Sequence, residues 1–254
     1  MTRFTKLISA INVGLLMFSS HCLAMQSSET KSLKFGYSEF APYTFTDKSG
    51  RAVGDVTGII ETVVAKSGYE FSPIDGPNRR LFRSLVTDDI DLLMVVPFKN
   101  DQSHKLIFGD KVFDTLDMSI FWLEGTTPPI NQLSQLRGKP IISIAGYSYG
   151  GIFREEGALE WAERFNSENH PSAVKALLQN RAPYLLAYEK PVMFYLDKPY
   201  QAGLRSYSLE KIPLVLSIRG SYPDAANVLK KLESRYEELF PERFKQLNPS
   251  AIAE

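Results

Sequence analysis

The segment Asp91-Leu-Leu-Met-Val-Val-Pro97 sets the tightest limit on what this chain can fold into. Its apolar residues run without polar alternation. A strand of that kind is buried on both faces, as inside a parallel sheet covered by helices on either side. The rest of the chain supplies the partners such a strand needs. Residues 32–37 alternate Leu33, Phe35 and Tyr37 with polar or small residues, and apolar runs predict further strands at 118–124, 140–146, 184–189 and 213–219. Between them lie helical patterns. Ile59, Ile60, Val63 and Val64 share one face of a helix over 55–68 that ends at Gly68, and a short helix follows at about 79–87. Helices are also predicted over 151–165 and over 170–180, the latter capped by Ser172, and from Pro191 as a first helical residue. Near the C-terminus Ala225, Val228, Leu229, Leu232, Tyr236 and Leu239 keep helical spacing, and Pro241 starts another helix. Strands alternating with helices define an α/β protein with mainly parallel sheets.

The N-terminus has a different character. Arg3 and Lys6 precede a mostly apolar run, Leu7–Phe18, that is too short to span a bilayer comfortably, and Cys22-Leu23-Ala24 ends it with small residues. This pattern predicts a signal peptide over residues 1–24, cleaved after Ala24, and a periplasmic location. An uncleaved anchor and lipidation of Cys22 are the alternatives. Removing the signal removes the only cysteine, which excludes a disulfide framework and thiol catalysis. It also removes Arg3 and Lys6 from 29 basic residues against 29 acidic ones, leaving 27 − 29 = −2. That balance points to neither nucleic acid nor an anionic membrane. With only His104 and His170 remaining, a His/Cys metal site is not expected, and neither is a cofactor. Asp88, Asp89 and Asp91 read as a solvated turn.

Gly146-Tyr147-Ser148-Tyr149-Gly150 matches G-x-S-x-G, the nucleophile elbow of the α/β-hydrolases. Such an enzyme requires an acid and then a histidine downstream. Only His170 follows Ser148, with no aspartate between them, and no HGG-type oxyanion loop precedes. The same layout suits a holding role. Gly146 and Gly150 allow close backbone approach, Ser148 offers a hydroxyl, and a helix beginning near Gly151 presents free N–H groups to an anion. A solvated serine with no role is the plain alternative. Ser148 and Tyr149 are therefore read as ligand contacts, and no catalytic residue is assigned.

The order of these pieces resembles the type II periplasmic solute-binding proteins, specifically the bacterial extracellular solute-binding family 3 that serves polar amino-acid ABC transporters. The resemblance rests on an ordered set of segments: residues 39–55 (EFAPYTFTDKSGRAVGD), DDIDLLMVV at 88–96, FGDKVF at 108–113, QLRGKPIISIAGYSYG at 135–150 and NRAPYLLAYE at 180–189. It implies a two-lobed fold, each lobe a mainly parallel sheet flanked by helices, joined by two hinge crossovers. The lobe limits expected from it are 25–114, 115–212 and a return over 213–254. It implies capture of a small polar solute, an amino acid or a related acid or amine, by a monomer that delivers it to an inner-membrane ABC permease. A ligand-sensing accessory subunit and a dehydratase or lyase relative are the other uses considered. One departure stands out. Family members that bind α-amino acids carry an arginine that clamps the ligand carboxylate, where this chain has KNDQSHK at 99–105. Lysine does not reproduce a bidentate guanidinium fork.

Further binding residues follow from position. Tyr37, Phe40 and Tyr43 lie at the C-terminal end of the first strand, where open α/β sheets place their ligand crevice. They are expected to stack on the ligand, with packing of Phe40 into its own lobe as the alternative. Asn78 and Arg79 open a helix beside Arg80, so one guanidinium faces the cleft or both lie on the surface. Tyr188 and Glu189 are read as the end of the strand at 184–189, where a carboxylate suits a ligand ammonium or is simply an exposed acid.

Overall fold

The apolar runs all lie inside one continuous eight-stranded sheet, none of them at its edge, and Met94 and Val95 at the end of the 91–97 run are only half-buried. The computed structural model describes residues 31–97, 105–125, 128–147, 149 and 163–249. The signal at 1–24, Lys99, His104, Thr126, Thr127, Ser148 and most of the helix predicted at 151–165 lie outside the described residues. The first lobe is built on β1 (Ser32–Tyr37), β4 (Glu70–Asp75) and β5 (Leu92–Val95), all parallel, with α1 (Asp55–Lys66) and α2 (Asn78–Val86) as connections. A small hairpin, β2 (Phe45–Thr46) with β3 (Ala52–Val53), sits between β1 and α1. The second lobe repeats the arrangement with β7 (Ile141–Ile144), β8 (Arg164–Ser167) and β9 (Tyr184–Tyr188), again parallel, with α3 (His170–Leu178) before β9.

Two long strands join the lobes. β6 (Leu106–Leu123) and β10 (Leu204–Arg219) run antiparallel from Leu204↔Leu123 to Arg219↔Leu106. The C-terminal part of β10 pairs with β5 in the first lobe, and the C-terminal part of β6 pairs with β9 in the second. The sheet order is β4-β1-β5-β10-β6-β9-β7-β8. α4 (Glu189–Tyr195) and α5 (Lys198–Gln201) lead from β9 into β10, and α6 (Ala225–Leu239) and α7 (Pro241–Leu247) return to the first lobe. There Val228, Leu229, Leu232 and Tyr236 of α6 join Ile60, Val63 and Val64 of α1 in the main core. This is the two-lobed type II periplasmic-binding-protein architecture. Among the described residues no helix is long and apolar enough to cross a membrane.

Several local expectations need correction. Arg164 and Phe165, placed in a helix by periodicity, begin β8, because the edge beside β7 offers a parallel ladder. Asn169, not Ser172, caps α3: its side chain accepts a bond from the Ser172 N–H at 2.9 Å. α4 starts at Glu189 rather than Pro191, so Glu189 opens a helix instead of ending a strand. Asp91 is not solvated. It is 4% exposed and accepts bonds from Arg219 Nε at 2.8 Å and the Lys34 N–H at 2.9 Å, which ties the start of β5 to both neighbouring strands. The strands expected at 118–124 and 213–219 are the ends of β6 and β10, each extended by a more polar half whose only strong incentive to be strand is the other one.

Candidate functional site

The loop after β1 is held by the start of α1. Gly54 has φ +125°, and a Cβ there would meet Tyr43 O at 2.3 Å, so only glycine lets the helix begin this close to the loop. The first free N–H groups of α1 are then used internally: Asp55 N donates to Pro42 O and Val56 N to Tyr43 O, both at 2.9 Å. The Tyr43 hydroxyl donates to Thr115 O of β6 at 2.9 Å, and Thr44 Oγ1 donates to Ser38 O at 2.8 Å. With its ends fixed in this way, the loop projects Phe40 toward the second lobe.

There Phe40 meets rings from the C-terminal ends of β7 and β9. Its centroid lies 5.1 Å from Tyr43 in a stack, and 5.9 Å from Tyr147 and 5.8 Å from Tyr188 in edge-on contacts. Tyr147 stacks on Tyr188 at 5.8 Å. His170, the first residue of α3, lies 5.5 Å from both Phe40 and Tyr147. Edge-on and offset ring pairs are the geometries that aromatic quadrupoles favour. The expected alternative for Phe40, packing into its own lobe alone, does not describe this contact across the cleft.

A cavity of about 270 Å³ adjoins the cluster. Tyr37, Phe40, Tyr43 and Asn78 line it from the first lobe, Tyr147 and Tyr188 from the second, and Leu116 and Leu214 of the long strands form part of its floor. Five of the residues expected at the site therefore come together: Tyr37, Phe40, Tyr43, Asn78 and Tyr188. The Tyr37 hydroxyl is 2.9 Å from Thr46 Oγ1 of the hairpin. The other expected residues are placed differently. Arg79 is exposed and does not line the cavity, and Arg80 Nη2 donates to Asp75 O at 2.9 Å within its own lobe. Glu189 is half-buried at the start of α4, away from the lining. Tyr149 is fully buried; its hydroxyl accepts from the Ile144 N–H at 2.8 Å and donates to Leu186 O at 3.1 Å, which pins β7 to β9 from beneath. Ser148 lies outside the described residues. Two neighbours were missed, Tyr147 and His170. The signal for Tyr147 was its place just after Gly146 at a strand's C-terminal end, the same logic that had selected Tyr37.

Among the described residues no charged side chain lines the cavity. Burial pushes the hydroxyls of Tyr147 and Tyr188 well above the ordinary tyrosine value, and burial together with Asp114, Asp117 and Asp55 does the same for Tyr43. All three stay neutral phenols. Burial also pushes the His170 imidazole down to about 4, and its Nε2 has no hydrogen-bond partner among the described residues. Behind Tyr43 a charged network is closed on itself. Asp114 of β6, 3% exposed, faces Lys190 of α4 at 3.3 Å and Arg243 of α7 at 2.7 Å. The Arg243 contact is an ion pair without hydrogen-bond alignment. Lys190 Nζ also lies over the Tyr43 ring, 4.8 Å from its centroid.

A two-lobed α/β chain with rings from both lobes around a cavity belongs to the periplasmic-binding-protein class of folds, and solved structures agree. A histidine kinase sensor domain with similarity to periplasmic binding proteins matches with a TM-score of 0.71 at 16% identity, over 87% of this chain and 95% of that one. An ancestral arginine-binding protein bound to arginine matches at 0.68 and 17%, covering 86% and 97%. An ancestral amino acid-binding protein, a precursor of cyclohexadienyl dehydratase, matches at 0.66 and 19%, covering 84% and 95%. At these identities the likeness is one of fold. No protein-family model and no curated protein sequence matches the chain.

Proposed function

We propose that this chain is an exported solute-binding protein of the extracellular solute-binding family 3 type, which captures a small solute between its lobes without turning it over. The observation that carries the reading is the cavity lined by Phe40 and Tyr43 from one lobe and by Tyr147 and Tyr188 from the other. A ligand there touches both lobes only when they are closed, so binding favours the closed form. As part of this reading the chain is exported by the signal at 1–24, acts as a monomer and delivers its solute to an ABC permease. The lobe limits lie inside the two long strands, near 114–115 and 212–213, close to the register shifts between Leu214 and Ser217. The binding of arginine or other amino acids by proteins of this fold supports a small organic ligand. The sensor domain supports a second use, passing the ligand state to a membrane partner.

Hydrolysis is the competing chemistry. His170 is the one histidine downstream of Ser148, and among the described residues no carboxylate contacts it and its Nε2 is unpartnered. A base in a triad needs a third group to orient it. A thermal-shift screen against amino acids, organic acids, amines and small neutral aromatics tests the proposal. A ligand at 100 times its dissociation constant stabilises the fold by about 2.7 kcal/mol. Ester hydrolysis that is robust in the wild type and vanishes in Ser148→Ala would overturn the binding reading.

A further inference from the structure

We infer that the cavity takes an uncharged, ring-bearing solute and discriminates against zwitterionic amino acids; this rests on the reading of the inter-lobe cavity as the ligand site. Among the described residues, no aspartate, glutamate, lysine or arginine lines it. Three cations on neighbouring elements are committed elsewhere, and Arg79, next to Asn78, is exposed and does not line the cavity. Lys190 is held between Asp114 and the Tyr43 ring, Arg243 is paired with Asp114, and Arg80 is bonded to Asp75 O. An α-carboxylate or α-ammonium entering this chamber gives up its water for phenyl and phenol rings, aliphatic side chains and the neutral groups of Ser38, Thr44 and Asn78, with no counter-charge among the described lining residues. An ion buried without a counter-charge is strongly disfavoured.

What the chamber offers instead is stacking surface and neutral polarity. Phe40 and Tyr43 form one stacked pair and Tyr147 and Tyr188 a second, joined edge-on through Phe40, and all four rings line the cavity. Asn78 lines the cavity with an amide that makes no hydrogen bond among the described residues, so it supplies a neutral donor and acceptor. Behind the rings, His170 is 3% exposed with Nε2 unpartnered, a second neutral polar group that a slight shift of Phe40 or Tyr147 would uncover. A cavity of roughly 150 Å³ lined by apolar residues takes benzene, so the 270 Å³ here accommodates a substituted ring. The absence of a carboxylate-clamping arginine from residues 99–105 then becomes a consistent part of a different specificity rather than a missing part of the usual one.

The test is a matched series sharing one ring and differing in charge: 4-methylphenol, 4-hydroxyphenylacetate, tyramine and L-tyrosine, with tetramethylammonium as a cation that rings alone can hold. Each is titrated calorimetrically into the full protein. The expected result is that 4-methylphenol binds at least tenfold more tightly than every charged member, and that Phe40→Ala, checked for folding by circular dichroism, weakens it at least tenfold. Asn78→Ala should weaken it less while leaving the fold intact, which keeps the site testable if Phe40→Ala does not fold. A charged member binding as tightly as the phenol, or unchanged phenol affinity in both variants, would overturn the inference while leaving solute binding intact. Binding of a polar amino acid with none of the series would do the same. No binding in either this series or the broader screen would remove the inference and the solute-binding reading together.

Discussion

His170 occupies the aromatic cluster as a neutral ring, and that neutrality has a measurable consequence. Its ordinary value of 6.5 falls to about 4 on burial. Above pH 6.5 the imidazole is neutral in the folded and unfolded chains, so it contributes no pH dependence. Between pH 6.5 and 4 the unfolded chain binds a proton that the folded chain refuses, and stability falls as the pH falls. The loss is complete below the folded value and amounts to about 3 kcal/mol. Urea unfolding across this window should show wild type losing about that much stability relative to His170→Phe as the pH drops from 7 to below the folded value. Parallel curves would mean that the imidazole is not held neutral. Tyr149 shows the complementary case, a buried polar group that is fully used. Its φ of 45° places the hydroxyl between Ile144 N and Leu186 O, whereas Tyr147, two residues earlier, lines the cavity.

At the scale of elements, the β6–β10 pair carries the connection between lobes, and Asp114 sits at its irregular centre. Register shifts flank Val215, opposite Val112–Asp114, and shifts of this kind bend and twist a strand pair locally. Asp114 ties this point of β6 to α4 of the second lobe through Lys190 and to α7 through Arg243. Because Asp114 is buried while both cations are partly exposed, removing its charge leaves two cations that water can still solvate. Asp114→Asn is therefore expected to destabilise the fold by about 1–3 kcal/mol, below the range for a fully buried pair. Chemical denaturation measures it. A loss under 0.5 kcal/mol, the size of an ordinary surface substitution, would show that the network is not coupled to stability. The polar half of β10, with Arg205, Ser206, Tyr207 and Ser208 exposed, has no alternating burial to mark it as strand. It becomes strand because β6 lies alongside.

For the whole molecule, two long antiparallel strands at the centre of the eight-stranded sheet join its two three-stranded parallel halves. Rotation about a few torsions near the register shifts is the expected way for the cleft to open or close without breaking either half of the sheet. Small-angle scattering should show a smaller radius of gyration when a ligand identified by the thermal screen is added at saturation. An unchanged scattering curve, with binding confirmed by calorimetry, would exclude closure as the response to ligand. The Phe45–Phe194 contact at 5.7 Å, between the hairpin of the first lobe and α4 of the second, is a further contact that opening would separate.

The sequence by itself determined the α/β class, the strands β1, β5, β7 and β9, the helices α1 and α6, and the end of the sheet at which Tyr37, Phe40 and Tyr43 would gather. These are local properties: a period of two or 3.6, an unbroken apolar run, a glycine or proline at a boundary. Only the tertiary structure decided that Arg164 and Phe165 extend a sheet, that Asp91 is buried against Arg219, and that Tyr147 rather than Tyr149 joins the cavity. It also decided that Phe40 crosses the cleft to meet Tyr147 and Tyr188. Each of these depends on which distant segment arrives alongside. A strand edge, a guanidinium or a ring from the other lobe is supplied from up to about half the chain away, and no local pattern records it.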